Sequence, residues 1–285
     1  MKTHFLFVAV LALLESCCFC DVTEQIDTSE DKPVYRFAVA GHVYGNPHAY
    51  HGTIYSPFLK KIKEDHALSP YDKLFLTGDV VWGDSVVHVW EYCKKQLDSL
   101  NIDWAVAPGN HDKEITSFFK NDKISYNDTN TFEPIIYIEN KNAFVVLNTT
   151  NPGWTLTQKD KDLLIEKTKG FDTLKNVFVF THQLWWLRNP PDRFYLDSLR
   201  SNSFVDYEGN SDFWKDVFPV FEQTHAQTWF FAGDMGAWSV LPSYYEDHSG
   251  RFHFFGSGMG GGVLDNYLSV SVYQNGRVDI KKIRF

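Results

Sequence analysis

The sequence feature that most limits the fold is a polar residue recurring at the ends of short apolar runs. Five such runs are followed within a few residues by a side chain of a type that binds metals, namely His42, Asp79, Asn110, His182 and Asp234. Apolar runs that alternate with helix-like segments favour an α/β protein with a largely parallel sheet. Because the carboxyl ends of parallel strands meet at one edge, we expect the five side chains at the same edge of one sheet.

Four segments between these runs predict helices, and one of them is capped by Ser211 and ends near Thr224. Proline at the first helical position predicts one helix over residues 56–64. A second is predicted where apolar residues recur every three or four positions, at Val86, Trp90, Cys93, Leu97 and Leu100. Cys93 on that face is expected to be a core residue. Thr157 with Asp160 forms a capping box, which predicts a third helix that ends near Lys169.

Net charge and the amino-terminal segment narrow the class of protein. The formal charge of −9 argues against nucleic acid as a partner, since phosphate neutralisation needs a basic surface. Residues 1–20 carry a lysine and then a short apolar run, which predicts an export signal. The motif Leu14-Glu15-Ser16-Cys17 also resembles a bacterial lipoprotein cleavage site, so lipid anchoring stays open. We expect a secreted or periplasmic protein with a tether over 21–32 and one domain over 33–285.

The stretch Ala107-Pro108-Gly109-Asn110-His111-Asp112 has the chemistry of a metal and phosphate site. Asn110 offers a neutral carbonyl oxygen to a cation, and His111 can exchange a proton near neutral pH. Asp112 can hold the His111 ring in one tautomer, and Gly109 lets the backbone approach a bound group. Carboxylate, carboxamide and imidazole ligands together suit Mn, Fe, Zn or Mg. Each residue alone also has a purely structural explanation, but five at one edge favour a metal site.

The order and spacing of these motifs resemble the calcineurin-like metallophosphoesterase superfamily over residues 34–285. Gly78-Asp79, the Gly-Asn-His-Asp segment over 109–112 and the lone His182 match that family's pattern. The resemblance implies a single-domain, four-layer αββα sandwich and hydrolysis of phosphate esters. It also implies that Asp79 bridges two metals, that Asn110 and His182 bind the second, and that His111 assists at the leaving group.

Two motifs depart from the family pattern. His42-Val43-Tyr44 stands where the family has Asp-x-His, and Gly233-Asp234-Met235-Gly236 stands where it has Gly-His-x-His. Both lost imidazoles belong to the first metal position. The second keeps four candidate ligands, which are Asp79, Asn110, His182 and Asp234. We therefore predict one firm divalent or trivalent metal ion, and a second position that is weak, absent or held by His42 with Tyr44.

The segment over 184–212 breaks the alternation and is predicted to be an aromatic-rich insertion or cap. Its adjacent residues Trp185-Trp186 either stack on a sugar or base or pack the cap. Arg188 and Arg193 are candidate phosphate ligands, with solvated loop arginines as the alternative. The glycine run over 258–262 is a candidate anion cradle, with a flexible loop beside the site as the alternative.

Together these features predict a metal-dependent hydrolase of small phosphate esters. A metal-activated water would attack the phosphorus, and His111, oriented by Asp112, would protonate the departing oxygen. The negative net charge and the aromatic insertion favour a small phosphorylated substrate with an organic leaving group. The altered first and fifth motifs support a second hypothesis, a binding protein on a phosphoesterase scaffold with one metal or none.

Overall fold

A computed structural model of the protein describes residues 32–48, 53–82, 87–112, 133–194, 211–238 and 242–285. The predicted export signal and almost all of the predicted tether lie outside these residues, as do residues 195–210 of the predicted insertion.

Strands of the described residues form two sheets. Their bounds are β1 (Tyr35–Ala40), β2 (Lys73–Leu76), β3 (Asp103–Val106), β4 (Ile135–Glu139), β5 (Asn142–Val146), β6 (Asn176–Thr181), β7 (Gln227–Ala232), β8 (Tyr244–Ser249), β9 (Phe252–Ser257), β10 (Asn266–Val272) and β11 (Val278–Arg284). The first sheet has the order β11-β10-β1-β2-β3, and the second has the order β4-β5-β6-β7-β9-β8. The β1-β2-β3 and β5-β6-β7-β9 neighbours are parallel, whereas the remaining pairings are antiparallel.

The helices of the described residues are α1 (Ser56–Leu68), α2 (Val87–Asp98), α3 (Gln158–Thr168) and α4 (Phe218–Glu222). The first runs four residues beyond its predicted end. The predicted cap of α3 is confirmed, since the Thr157 hydroxyl accepts a hydrogen bond from the Asp160 N–H at 3.1 Å. A π-helix (Phe213–Val217) precedes α4, and a 3₁₀ turn (Trp185–Leu187) follows β6. Within the described residues, none of the helices combines the length and apolar character needed to cross a bilayer.

Aromatic side chains fill the space between the two sheets. The Phe75 and Phe180 rings stack at 3.8 Å between centroids, and Phe37 meets Phe178 edge to face at 5.1 Å. Alternate residues on the same strands face outward, so Val177 packs in a second core beneath the helices that cover the second sheet. Helices α1 and α2 cover the other face of the first sheet, where Cys93 is fully buried as predicted. The predicted αββα sandwich is thereby confirmed.

The predicted metal ligands follow parallel strands of both sheets, so the expectation of a single sheet is wrong. His42, Asp79 and Asn110 follow β1, β2 and β3, whereas His182 and Asp234 follow β6 and β7 of the second sheet. The same alternation of strand and helix builds both sheets, so the sequence pattern does not mark where one sheet ends and the next begins. The site therefore lies where the carboxyl ends of the parallel strands of both sheets meet.

Candidate metal centre

The ligand atoms predicted for the firm metal position converge on His182. Its Nε2 lies 3.0 Å from Asn110 Oδ1, 3.4 Å from Asp79 Oδ1 and 3.9 Å from Asp234 Oδ1. The imidazole has no solvent exposure, and its Nδ1 donates to the Thr77 carbonyl at 2.9 Å. This hydrogen bond fixes the tautomer that leaves a lone pair on Nε2, as a metal-binding imidazole requires.

His42 and Tyr44 occupy the other side of the same cluster. His42 Nε2 lies 3.2 Å from Asp234 Oδ1 and 3.3 Å from Asp79 Oδ2. The Tyr44 hydroxyl is 3.2 Å from His42 Nδ1 and donates to Asp79 Oδ2 at 3.3 Å. The two oxygens of Asp79 therefore face opposite ways, one toward His182 and the other toward His42. Donor atoms of His42, Asp79 and His182 lie within 4.8 Å of one another.

The residues present fit a metal cation. Two buried carboxylates, Asp79 and Asp234, converge with imidazole nitrogens and a carboxamide oxygen, and buried charges of one sign need compensation. Burial lowers the pKa of His182, but the attraction of Asp79 and Asp234 outweighs it and raises that pKa above its usual value. Burial raises the pKa of Asp79, but the nearby histidines outweigh it and lower that pKa. The cluster therefore favours positive charge beside an ionised Asp79.

Backbone conformation brings these side chains together. His42 and Asp79 have φ of +51° and +54°, in the left-handed region that residues other than glycine seldom adopt. A Cβ on Gly109 would lie 2.2 Å from Asp79 Oδ1, and a Cβ on Gly78 would lie 2.3 Å from His182 Nδ1. Glycines therefore stand directly before Asp79 and Asn110 because the backbone at these positions closely approaches neighbouring loops. The sequence predicts that Gly109 leaves space for a bound group. In the structure that space is filled by the Asp79 carboxylate.

His111 lies at the edge of the cluster and is half-buried. Its backbone N–H donates to Asp79 Oδ1 at 3.1 Å, which fixes the residue beside the ligands. Its ring packs on Trp82 with 4.1 Å between centroids. Burial is the main cause that lowers the pKa of His111, and the charges of Asp79 and Asp234 oppose that effect. Sequence reasoning missed Trp82, although an aromatic residue three positions after Asp79 was visible.

The predicted role of Asp112 in holding the His111 ring is wrong. Asp112 Oδ1 accepts hydrogen bonds from the Val80 and Val81 N–H groups at 2.8 and 3.1 Å, and Oδ2 accepts from the Gly109 N–H at 2.8 Å. Burial and the nearby Asp79 raise the pKa of Asp112 to about 7, against the opposing effect of these donors. The side chain turns away from His111 into the loop after β2. It ties together the loops that carry Asp79 and Asn110.

The predicted substrate-binding arginines lie away from the cluster or contact other residues. Arg193 pairs with Glu222 at 2.9 Å and lies over the Phe218 ring. Phe218 in turn packs on Phe252, the first residue of β9, at 4.6 Å. Arg193 is therefore near the amino ends of the parallel strands, opposite the cluster, which argues against phosphate binding. Arg188 lies over the Trp154 ring at 4.7 Å, and its phosphate-binding role stays a prediction.

Two further sequence motifs turn out to be structural. Trp185 and Trp186 are fully buried in the second core, so the packing alternative is correct and stacking on a substrate is wrong. The glycine loop does cradle an anion, but that anion belongs to the chain. The N–H groups of residues 260–262 donate to the Asp265 carboxylate at 2.8 to 3.1 Å.

The facing sheets and the buried ligand cluster together define the metallophosphoesterase class of fold. A family model described as calcineurin-like phosphoesterase matches residues 43–256, so the chain belongs to that family. No protein with a curated description matches it significantly.

Solved structures with similar folds include two phosphatases. A dimetal phosphatase from Danio rerio is 11% identical, with a TM-score of 0.57, and the alignment covers 89% of this chain and 96% of the other. A purple acid phosphatase from yellow lupin (Lupinus luteus) seeds is also 11% identical, with a TM-score of 0.58, over 88% of this chain. The alignment spans 52% of the lupin chain. Family and fold together support phosphoester hydrolysis in general.

Proposed function

We propose that this protein hydrolyses phosphate esters of small organic molecules in a metal-dependent reaction, with His111 as the proton donor. The observation that carries the proposal is the convergence of the Asn110 oxygen and two buried carboxylates on His182 Nε2, whose lone pair is set by the Thr77 carbonyl. A histidine with that tautomer among three oxygens is arranged for a cation. Because the family's reaction needs such a cation, the arrangement supports hydrolysis.

Asp79, Asn110, His182 and Asp234 would hold the metal, with His42 and Tyr44 on the other side of Asp79. When bound, the ion would polarise a phosphoryl oxygen and lower the pKa of a nearby water. The chain itself fixes the ligand geometry through buried hydrogen bonds and excludes water from the carboxylates. An ester phosphate would then bind at the exposed edge of the cluster, next to His111.

His111 is suited to protonate the departing ester oxygen. Its backbone is anchored to Asp79 and its ring is supported by Trp82 rather than by a hydrogen-bonded carboxylate. The ring is half-buried and so remains within reach of a substrate. Loss of such a proton donor typically lowers turnover by about 10²- to 10⁴-fold.

The test combines metal analysis with hydrolysis of two aryl phosphate esters, one monoester and one diester. We expect the protein to retain metal, to hydrolyse at least one ester after Mn²⁺ is added, and to lose both properties in His182→Ala. His225→Ala, at an exposed histidine outside the cluster, is the matched control. A protein that holds no metal and hydrolyses neither ester would contradict the proposal.

A binding protein on the same scaffold is the second candidate function. Gly236 stands at the position of the second family imidazole and has a φ of +88°, and Tyr44 replaces the other lost imidazole. Retention of metal and of substrate affinity without turnover would favour this candidate.

We also propose that the substrate is a small phosphorylated molecule rather than nucleic acid, and that the protein is secreted or periplasmic. Support comes from the negative net charge and from the amino-terminal export pattern. Mass spectrometry of protein recovered from the producing cells tests the second point, since cleavage after the apolar run is expected. A lipid mass on Cys17 would instead identify a membrane-anchored form.

A further inference from the structure

A pair of histidines faces across β8 and β9, near the amino end of β9 and so opposite the cluster. His248 and His253 are directly opposite in the antiparallel register, and their Nδ1 atoms lie 2.8 Å apart. His248 is exposed, with 47% of its side chain accessible to solvent, and His253 is half-buried. Its location on the edge hairpin makes it reachable by an ion from solution.

The outer nitrogens of both rings are already engaged. His248 Nε2 lies 3.1 Å from Glu246 Oε1, and His253 Nε2 lies 3.0 Å from Gln227 Oε1. The Glu246 carboxylate accepts from His248 Nε2, and with the Gln227 oxygen as the acceptor from His253 Nε2 each neutral ring has its lone pair on Nδ1. Two lone pairs at 2.8 Å repel each other. A proton or a metal ion bound by both Nδ1 atoms would remove that repulsion.

The spacing of the Nδ1 atoms discriminates among metals. At a metal–nitrogen distance of about 2.0 Å, two ligands at a right angle stand about 2.8 Å apart, whereas tetrahedral ligands stand about 3.3 Å apart. The observed separation is 2.8 Å. Right-angled nitrogen ligands are typical of Cu²⁺ and Ni²⁺, while tetrahedral sites favour Zn²⁺.

We propose that His248 and His253 form a metal site separate from the buried cluster. This site chelates a transition-metal ion with tetragonal geometry, such as Cu²⁺ or Ni²⁺, through the two Nδ1 atoms. Glu246 and Gln227 act as positioning residues, because their hydrogen bonds fix the tautomers and orient both rings. Glu246 is itself held by the Tyr244 hydroxyl. Solvent water would complete the coordination on the exposed side.

The electrostatic setting supports this assignment. Burial, with a smaller contribution from His248, lowers the pKa of His253 to about 4, so this imidazole is neutral at physiological pH. Trp229 stacks on the His253 ring at 3.9 Å between centroids. That contact limits rotation of the ring and places an intrinsic fluorophore beside the proposed ion.

The experiment is calorimetric titration of the untagged full chain, already loaded with its active-site metal, with CuCl₂ and separately with NiCl₂. We expect one saturable binding event beyond the active-site metal, accompanied by quenching of tryptophan fluorescence by Cu²⁺. His248→Gln and His253→Gln should each abolish the event. His225→Gln, the same change at an exposed histidine elsewhere, should leave it intact.

Two further variants separate binding at the histidine pair from binding at the buried cluster or elsewhere on the surface. Trp229→Phe should reduce the quenching while the calorimetric event persists. Asp79→Ala should lose the active-site metal but still bind Ni²⁺ at the histidine pair, so this proposal is tested apart from the proposed function. Equal Cu²⁺ and Ni²⁺ binding in both pair variants and the unmodified chain, or no further event in that chain, would overturn the assignment.

Discussion

The two sides of the buried cluster are held by different kinds of partner. On one side the His182 ring is fixed by a backbone carbonyl at Nδ1, and its Nε2 faces oxygens from three other residues. On the other side the His42 ring contacts the Tyr44 hydroxyl, which also donates to Asp79. The partner of the His42 Nδ1 atom is thus the Tyr44 phenol, whereas the partner of the His182 Nδ1 atom is a backbone carbonyl.

This difference bears on metal affinity. A hydrogen bond to the backbone sets the His182 tautomer whether or not an ion is present, so its ligand atoms are ready for one. Around His42, the Tyr44 phenol contacts the ring and also donates to Asp79 Oδ2, and an ion must compete with those contacts. We therefore expect tighter metal binding on the His182 side, in line with the prediction of one firm position.

The largest expected effect comes from Asp79, whose two oxygens face opposite sides of the cluster. Asp79→Ala should remove the bound metal and reduce hydrolysis of an aryl phosphate ester to background, since each side loses an oxygen. Elemental analysis and initial rates provide the readout. An Asp79→Ala protein that keeps its metal would show that the two sides do not share this carboxylate.

His111→Ala separates proton donation from metal binding. We expect turnover to fall by about a hundredfold or more while metal content stays nearly unchanged, because His111 contacts Asp79 through its backbone N–H, which alanine retains. Trp82→Phe, which keeps an aromatic surface under the ring, is the matched control and should change turnover far less. Loss of metal in His111→Ala would instead make the imidazole a ligand.

His42→Ala measures the weaker side directly. Activity should fall by about ten- to a hundredfold, while about one metal ion per chain remains on the His182 side. Tyr44→Phe removes only the hydroxyl and should have a smaller effect on both measurements. Two tightly held ions in the unmodified protein, both lost on removal of His42, would contradict the asymmetry.

The smallest effect on the rate of hydrolysis is expected from Gly236→His. This substitution should nevertheless lower thermal stability measurably. A Cβ at this position would lie 2.9 Å from the Met259 backbone, and the residue has a φ of +88°. Strain of about 1–3 kcal/mol should therefore lower the melting temperature by several degrees. Unchanged thermal stability together with a second bound metal would show that this loop adapts to the family pattern.

Sequence reasoning located the residues of the buried cluster but not all of their partners. His42, Asp79, Asn110, His182 and Asp234 were found because each follows an apolar run, and strand ends are legible in a sequence. Their common location also followed, although they come from two sheets. The Thr77 carbonyl on His182 could not be predicted, because main-chain contacts between separate loops leave no trace in residue type.

Asp112 shows why a motif does not specify a contact. Its place next to His111 made a hydrogen bond to that ring a reasonable prediction. However, consecutive loop residues can point in different directions, and the Asp112 carboxylate turns toward three backbone donors of the adjoining loops. Asp265 shows the converse, since a glycine run that resembles an open anion site already binds the carboxylate of a residue a short way further along the chain.

The bridge that Asp112 makes between the loops after β2 and β3 has a thermodynamic consequence. Because the carboxylate binds the N–H groups of residues 80, 81 and 109, the conformational entropy of these positions is lost when the chain folds and not when an ion arrives. Metal uptake then needs little further ordering of Asp79 and Asn110, and much of the binding energy is free to appear as affinity. The protein should thus behave as a preorganised host, unlike small domains that fold only around their metal.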